Sequence, residues 1–235
     1  MRRVTAIVIQ VAMDEEAQPF LDAAREVSDP IAVGRAVHRG IVLGDATVVL
    51  VRSGIGMVNA ADAAAGAIHR YGPDDIVLIS AGSAGGLARG VRVGEVVVGA
   101  SAVNVEADAR AFGYALGQVP GMPEVYGTDP ALRRALADTR VGDIAVREGD
   151  MGAGEKFVTT GIADRLRADF PGLVSVDMET TAVAQVAHNH GARFAACRAI
   201  SDLCAPDGDE FATHIDDAAE RSARVVIDAL ARLTA

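Results

Sequence analysis

The chain has 235 residues, half of them apolar, and carries 32 acidic against 22 basic side chains, for a formal net charge of −10. That composition is one of a folded globular protein, and a chain of this size buries roughly 70% of its unfolded surface, a core large enough to need no disulfide or metal staple. The acidic balance argues against nucleic acid or an anionic membrane as partner, and no run reaches the roughly 18 apolar residues of a membrane span.

The opening MRRVTAIVIQVAMDEE places two arginines before an apolar run, as a secretion signal would. The run is short, lacks a small-residue cleavage site and ends in acids, so it reads as a first buried strand, 4–11, of a cytoplasmic protein. Further strands are expected at 31–38, 41–43, 47–52, 75–80, 94–98, 143–147, 173–176 and 193–200, several as continuous apolar runs covered on both faces. Between them, Met57–Tyr71 is an Ala-rich helix stopped by Gly72-Pro73, and Thr180–His190 is a second helix ending at Gly191. Residues 211–233 form a third, with Phe211, Ile215, Ala218, Ala219, Ser222, Val226, Ala229 and Leu233 at helical spacing. Residues 111–126 have Gly, Pro and aromatics without a period and read as a long functional loop. With no linker, repeat or low-complexity tract, residues 1–235 make a single α/β domain.

Four clusters follow predicted strands: Met13-Asp14-Glu15-Glu16, Gly82-Ser83-Ala84-Gly85-Gly86, Asp177-Met178-Glu179 and Ser201-Asp202. Ligands of open α/β sheets bind beyond the carboxyl ends of strands, so the four converge on one crevice. Each alone has a plainer reading: acids in a first helical turn, a tight glycine turn, a helix start at Glu179, an N-cap at Asp202. Together they supply an acid for a leaving group, a carboxylate for water and acceptors for sugar hydroxyls, the needs of glycosidic cleavage. The sequence has no P-loop, no G-x-G-x-x-G after the first strand and no G-x-S-x-G elbow. Cys197 and Cys204 lie outside any C-x-x-C pair and read as reduced thiols. His38, His69, His188, His190 and His214 are scattered and read as surface or packing residues, so no metal and no cofactor is expected.

Collinear motifs then become specific: A-M-D-E-E at 12–16, S-G-I-G at 53–56, G-S-A-G-G-L at 82–87, A-F-G-Y at 111–114, G-Q-V-P-G at 117–121, V-D-M-E at 176–179 and R-A-I-S-D at 198–202. Through them the chain resembles the 5′-methylthioadenosine/S-adenosylhomocysteine nucleosidases of the purine nucleoside phosphorylase-like superfamily, nearly end to end. The resemblance implies a mixed, twisted sheet flanked by helices, a homodimer, and hydrolysis of 5′-substituted adenosines to adenine and the 5′-substituted ribose.

It further implies that Asp202, positioned by Ser201, protonates adenine, and that Glu16 activates water with Ser83 and Arg198. Met178 and Glu179 would bind the ribose, Phe157 would stack on adenine and Val158 would read its edge. Ile55, Met57 and Phe211 would form the 5′ pocket, with Phe112 and Pro120 reaching into the partner's. Asp177 stands where the family usually has Glu, Glu155 where it usually has Asp, and the stretch near Pro206-Asp207-Gly208 is one residue shorter. The 5′ group therefore stays open among methylthio, homocysteinyl, deoxy and aminofutalosine-type substituents.

The nearest rival is a phosphorylase of the same fold, which would need arginines converging on the glycine segments. Arg52 and Arg89 flank those segments, but the segments carry no positive charge and Glu16 would repel phosphate. A non-catalytic nucleoside-binding protein would be expected to lack Glu16 or Asp202, and a dinucleotide-binding oxidoreductase would need the missing glycine fingerprint.

Overall fold

The structure, a computed structural model, describes residues 6–72, 76–204 and 208–233. In chain order it runs β1 (Ala6–Val11), α1 (Asp14–Ala23), β2 (Glu26–Val27), β3 (Ile31–Val33), β4 (Ala36–Leu43), β5 (Ala46–Arg52), α2 (Met57–Tyr71), β6 (Ile76–Gly86) and β7 (Val96–Asn104). A 3₁₀ turn (Arg110–Phe112) leads to β8 (Tyr126–Gly127), α3 (Pro130–Ala137), β9 (Val146–Ala153), α4 (Thr160–Asp169), β10 (Leu173–Asp177), α5 (Thr180–His190), β11 (Arg193–Asp202) and α6 (Asp209–Leu233).

The strands form one mixed sheet in the order β10-β9-β7-β11-β6-β1-β5-β4-β2, with β3 on β4 and β8 on β7. β1, β5, β6 and β11 run parallel to their common neighbours, while β11 is antiparallel to β7. The far edge curls back: β10 also pairs antiparallel with the end of β6, Ser175 opposite Gly86 and Val176 opposite Gly85. Strands β6, β11, β7, β9 and β10 thus close a ring, and the closure brings the end of β10 to the ends of β6 and β11.

Both faces are covered, which is why β1, β6 and β11 are almost wholly apolar where they cross the centre. One core gathers Ile9, Ile79 and Cys197 beneath α1, α3 and α6; the other gathers Val8, Leu78 and Ala196 beneath α2 and α5. α6 buries Ala218, Ala219, Ser222, Val226 and Ala229, the face its period predicts.

Several boundaries differ from expectation. The predicted strand 31–38 is broken by a turn at Gly34, whose φ of +60° suits glycine, and the predicted strand 41–43 is the end of the continuous β4. The strands expected at 94–98 and 143–147 lie further along, at β7 and β9. α3 and α4 occupy segments for which no element is expected. Residues 111–126 are irregular apart from the end of the 3₁₀ turn and the start of β8. Val4, Thr5, Pro73, Asp75, Pro206 and Asp207, which carry parts of the expectations above, lie outside the described residues.

Candidate active site

The glycine segment Gly82–Gly86 is not a turn after a strand. It is the last part of β6, held in register with β11 from Arg198 opposite Gly82 to Asp202 opposite Gly85. Likewise Ser201 and Asp202 close β11, and Asp202 is no helix cap, since α6 begins at Asp209. The register shifts between Ile200 and Asp202, so an extra residue is accommodated there. Alternation along a regular strand would send Ser201 and Asp202 to opposite faces; with this bulge both line the same cleft.

That cleft encloses about 670 Å³ including its open mouth, a size suited to a small organic ligand. Its charged floor holds Glu16, Asp177, Glu179, Arg198 and Asp202. Ser83, Ser201 and Met178 sit among them, and Phe157, Val158, Ile55 and Phe211 form its more apolar wall. Met57, Phe112 and Pro120 are not on its lining. Met57 packs against the α2 core, Phe112 is 84% exposed on the 3₁₀ turn, and Pro120 is exposed in the loop beyond it.

Glu16 lies in the first turn of α1, yet its carboxylate is only 2% exposed and turns inward. Oε2 accepts the amides of Ala12 (2.8 Å) and Met13 (3.2 Å); Oε1 accepts the amide (2.8 Å) and hydroxyl (3.0 Å) of Ser83. The reading of this acid as mere surface decoration of a helix start does not hold. Gly82 makes the approach possible: its φ is +135°, and a Cβ there would collide with Glu16 Oε1.

Asp202 is held from two sides. The Ser201 hydroxyl donates to Oδ2 (2.8 Å) and the Cys204 amide to Oδ1 (2.9 Å). Cys204 reaches this position with a left-handed φ of 57°, and Gly85 leaves room for both, since a Cβ on it would lie 2.9 Å from Cys204 Sγ. Burial pushes the Cys204 thiol up to about 12, so it stays protonated and inert while its backbone does the positioning.

Arg198 is the largest fully buried side chain among the described residues. Its Nη1 donates to the Ser83 carbonyl (3.0 Å) and lies 3.3 Å from Glu179 Oε2; Nη2 donates to Ser80 Oγ (3.0 Å), and Nε lies 3.5 Å from Asp177 Oδ2. Burial opposes its charge, but the carboxylates of Asp177, Glu179 and Glu16 outweigh that and raise its pKa. Burial likewise raises the Glu179 carboxyl to about 7, against the pull of Arg198 and with Asp177 and Glu16 adding to the rise. Glu179 Oε1 accepts the Gly56 amide (2.8 Å), tying the ribose-side carboxylate to the head of α2.

Three contributors escape the sequence reading. Ser80 supports Arg198 from inside β6, Cys204 acts through its amide, and Glu155 accepts the amides of Met57 (3.0 Å) and Val58 (3.3 Å), capping α2 from 98 residues away. Only Glu155 had a signal, as a charged departure beside Phe157. The rings of Phe157 and Phe211 meet edge to face at 5.7 Å across the cleft wall. Its two cations, Arg198 and Lys156, are both engaged, Lys156 with Glu106 at 2.8 Å, while Arg52 pairs with Asp14 at 2.7 Å.

Residues 6–233 match the sequence model of the phosphorylase superfamily. The chain is 36% identical to the 5′-methylthioadenosine/S-adenosylhomocysteine nucleosidase of Anoxybacillus flavithermus, with 94% of this chain and 95% of that protein covered. It is similar to the crystal structure of the Neisseria meningitidis nucleosidase in complex with methylthio-immucillin-A (TM-score 0.91, 33% identity, 97% and 99% covered). It is also similar to that of the Colwellia psychrerythraea nucleosidase in complex with adenine (TM-score 0.93, 27% identity, 99% and 97% covered).

Proposed function

Because the chain belongs to the phosphorylase superfamily and, within it, to the 5′-methylthioadenosine/S-adenosylhomocysteine nucleosidases, we propose that it hydrolyses the N-glycosidic bond of 5′-substituted adenosines to adenine and the 5′-substituted ribose. The observation that carries this reading is the pairing, in one cleft, of a carboxylate fixed by four donors, Glu16, with a second, Asp202, fixed by the Ser201 hydroxyl and the Cys204 amide.

In this reading Asp202 is protonated when it acts and delivers its proton to adenine N7, making the base a leaving group. As the bond to N9 stretches, the ribose gains oxocarbenium character, which Glu179 and Glu16 stabilise. Glu179 takes the ribose 2′- and 3′-hydroxyls beside Met178. A water displaces the Ser83 hydroxyl from Glu16 Oε1, is then held by both groups, and attacks C1′ as Glu16 accepts its proton. Arg198 works from below, holding Ser83 and Glu179 in place. Phe157 stacks on the base, the Val158 backbone reads its edge, and Ile55 and Phe211 receive the 5′ group.

Water rather than phosphate is favoured as the nucleophile because both cations of the cleft are committed to carboxylates, and an incoming anion would meet Glu16 and Glu179. A homodimer belongs to the same reading. Phe112 and Pro120 are exposed away from the chain's own cleft, as residues that serve a partner's cleft would be.

The roles are tested by Asp202→Asn and Glu16→Gln, following adenine release from 5′-methylthioadenosine. Each is expected to lower kcat by about 10²–10⁴-fold, with Asp202→Asn still folded and still binding substrate. Turnover at the unmodified rate in the Asn variant removes Asp202 from the acid role.

A further inference from the structure

Asp177 is used by none of the steps above, yet it is buried among them and makes two separate sets of contacts. Its Oδ1 accepts the amides of Glu179 (2.8 Å) and Thr180 (2.7 Å), the residues two and three further on. These are donors at the start of α5 that its formal N-cap, Glu179, leaves without a side-chain partner. With Asp177 serving as the cap, the Glu179 side chain is released to turn into the cleft and accept the Gly56 amide. The turn depends on a short side chain, because the acceptor must fold back onto amides of its own turn.

Asp177 Oδ2 has no hydrogen-bond partner, nor does Arg198 Nε, and the two lie 3.5 Å apart inside the protein. Arg198 is at the same time 3.3 Å from Glu179 Oε2. One buried guanidinium therefore lies against two carboxylates, and the negative charge of Asp177 offsets part of its pull on Glu179. The charged groups acting on Glu179 are Arg198 on β11, Asp177 on β10 and Glu16 on α1; from α2 comes the Gly56 amide, in the same turn that Glu155 caps.

We infer that Asp177 is a positioning residue for the ribose-binding carboxylate: one oxygen fixes the head of α5 so that Glu179 faces the cleft, and the other, through Arg198, sets how readily Glu179 ionises. This rests on the reading of Glu179 as the ribose ligand. Because Glu179 must be ionised to accept two hydroxyls, its state sets the acid limb of kcat/KM, which reports groups of the free enzyme.

The test is Asp177→Asn, which keeps the Oδ1 acceptor and removes the charge, beside Asp177→Glu, which keeps the charge but is too long for the turn. The Glu179 carboxyl is followed directly by carbon-13 NMR across pH, its signal assigned by its loss in Glu179→Gln, and kcat/KM for 5′-methylthioadenosine is measured in parallel. In Asp177→Asn, Arg198 turns wholly to Glu179 and a like charge disappears, so the Glu179 titration and the acid limb should both move down by about one pH unit. In Asp177→Glu, kcat/KM should fall by about tenfold or more, the result of a displaced ribose ligand that also serves the transition state. Should Asp177→Asn fail to fold, Asp177→Ser supplies an uncharged acceptor for the same turn.

A Glu179 titration that stays at its original pH in the folded Asn or Ser variant overturns the inference. So does a Glu variant with the kcat/KM of the unmodified protein. Failure of the unmodified protein to release adenine would count against the nucleosidase reading, while the NMR titration would still decide whether Asp177 governs Glu179.

Discussion

Gly82 shows how a single residue is bound to the chemistry. Its backbone is left-handed, and the space a side chain would fill holds the Glu16 carboxylate. Gly82→Ala therefore brings backbone strain on the order of 1–3 kcal/mol together with a clash that pushes Glu16 off Ser83. We expect kcat/KM to fall by more than about 100-fold, roughly 3 kcal/mol of transition-state stabilisation, with a lowered melting temperature. Steady-state kinetics and thermal unfolding of the variant check this, and unaltered kinetics would mean that Glu16 need not sit where the structure has it. The residue types at this site were legible in the sequence, because carboxylates beside small residues at strand ends are unusual unless something binds there. Their partners were not. Which amides Glu16 accepts, or that Cys204 serves through its N–H, depends on backbone positions that no side-chain pattern encodes.

The strands that cross the middle of the sheet were readable because burial on both faces demands unbroken β-branched and aliphatic runs, as in β1, β6 and β11. β9 was misplaced because its residues, Val146–Ala153, mix charge with glycine. It is a strand by virtue of its neighbours, pairing with β7 on one side and β10 on the other, with Gly149 and Gly152 admitting Val174 and Leu173. α3 and α4 each bury only two residues, Leu132 with Leu136 and Ala163 with Leu166, too few points to establish a helical period. The Asp129-Pro130 start of α3 was nevertheless a local signal: Asp129 accepts the amides of Ala131 and Leu132, with Pro in the first turn. The bulge at the end of β11, which aims Ser201 and Asp202 together, has no signature in composition. It follows from pairing with β6, a contact more than 100 residues away in the chain.

At the scale of the molecule, the return of β10 to β6 turns separate strand ends into one site. α1, β6, β10 and β11 each contribute a cleft residue, Glu16, Ser83, Asp177 and Asp202, and Glu179 follows at the head of α5. The proposed homodimer would complete the 5′ side, with Phe112 presented to the partner. Sedimentation should give twice the chain mass, and Phe112→Asp should shift the protein toward monomer and raise KM. A fully active monomer would remove the partner from the site. The central claim, hydrolysis at this cleft, is tested most directly by the products formed from 5′-methylthioadenosine with and without phosphate, separated by chromatography. Adenine and free methylthioribose are expected in equal amounts, at a rate indifferent to phosphate. Product formed only with phosphate, as the sugar 1-phosphate, would contradict it and make the enzyme a phosphorylase on the same fold.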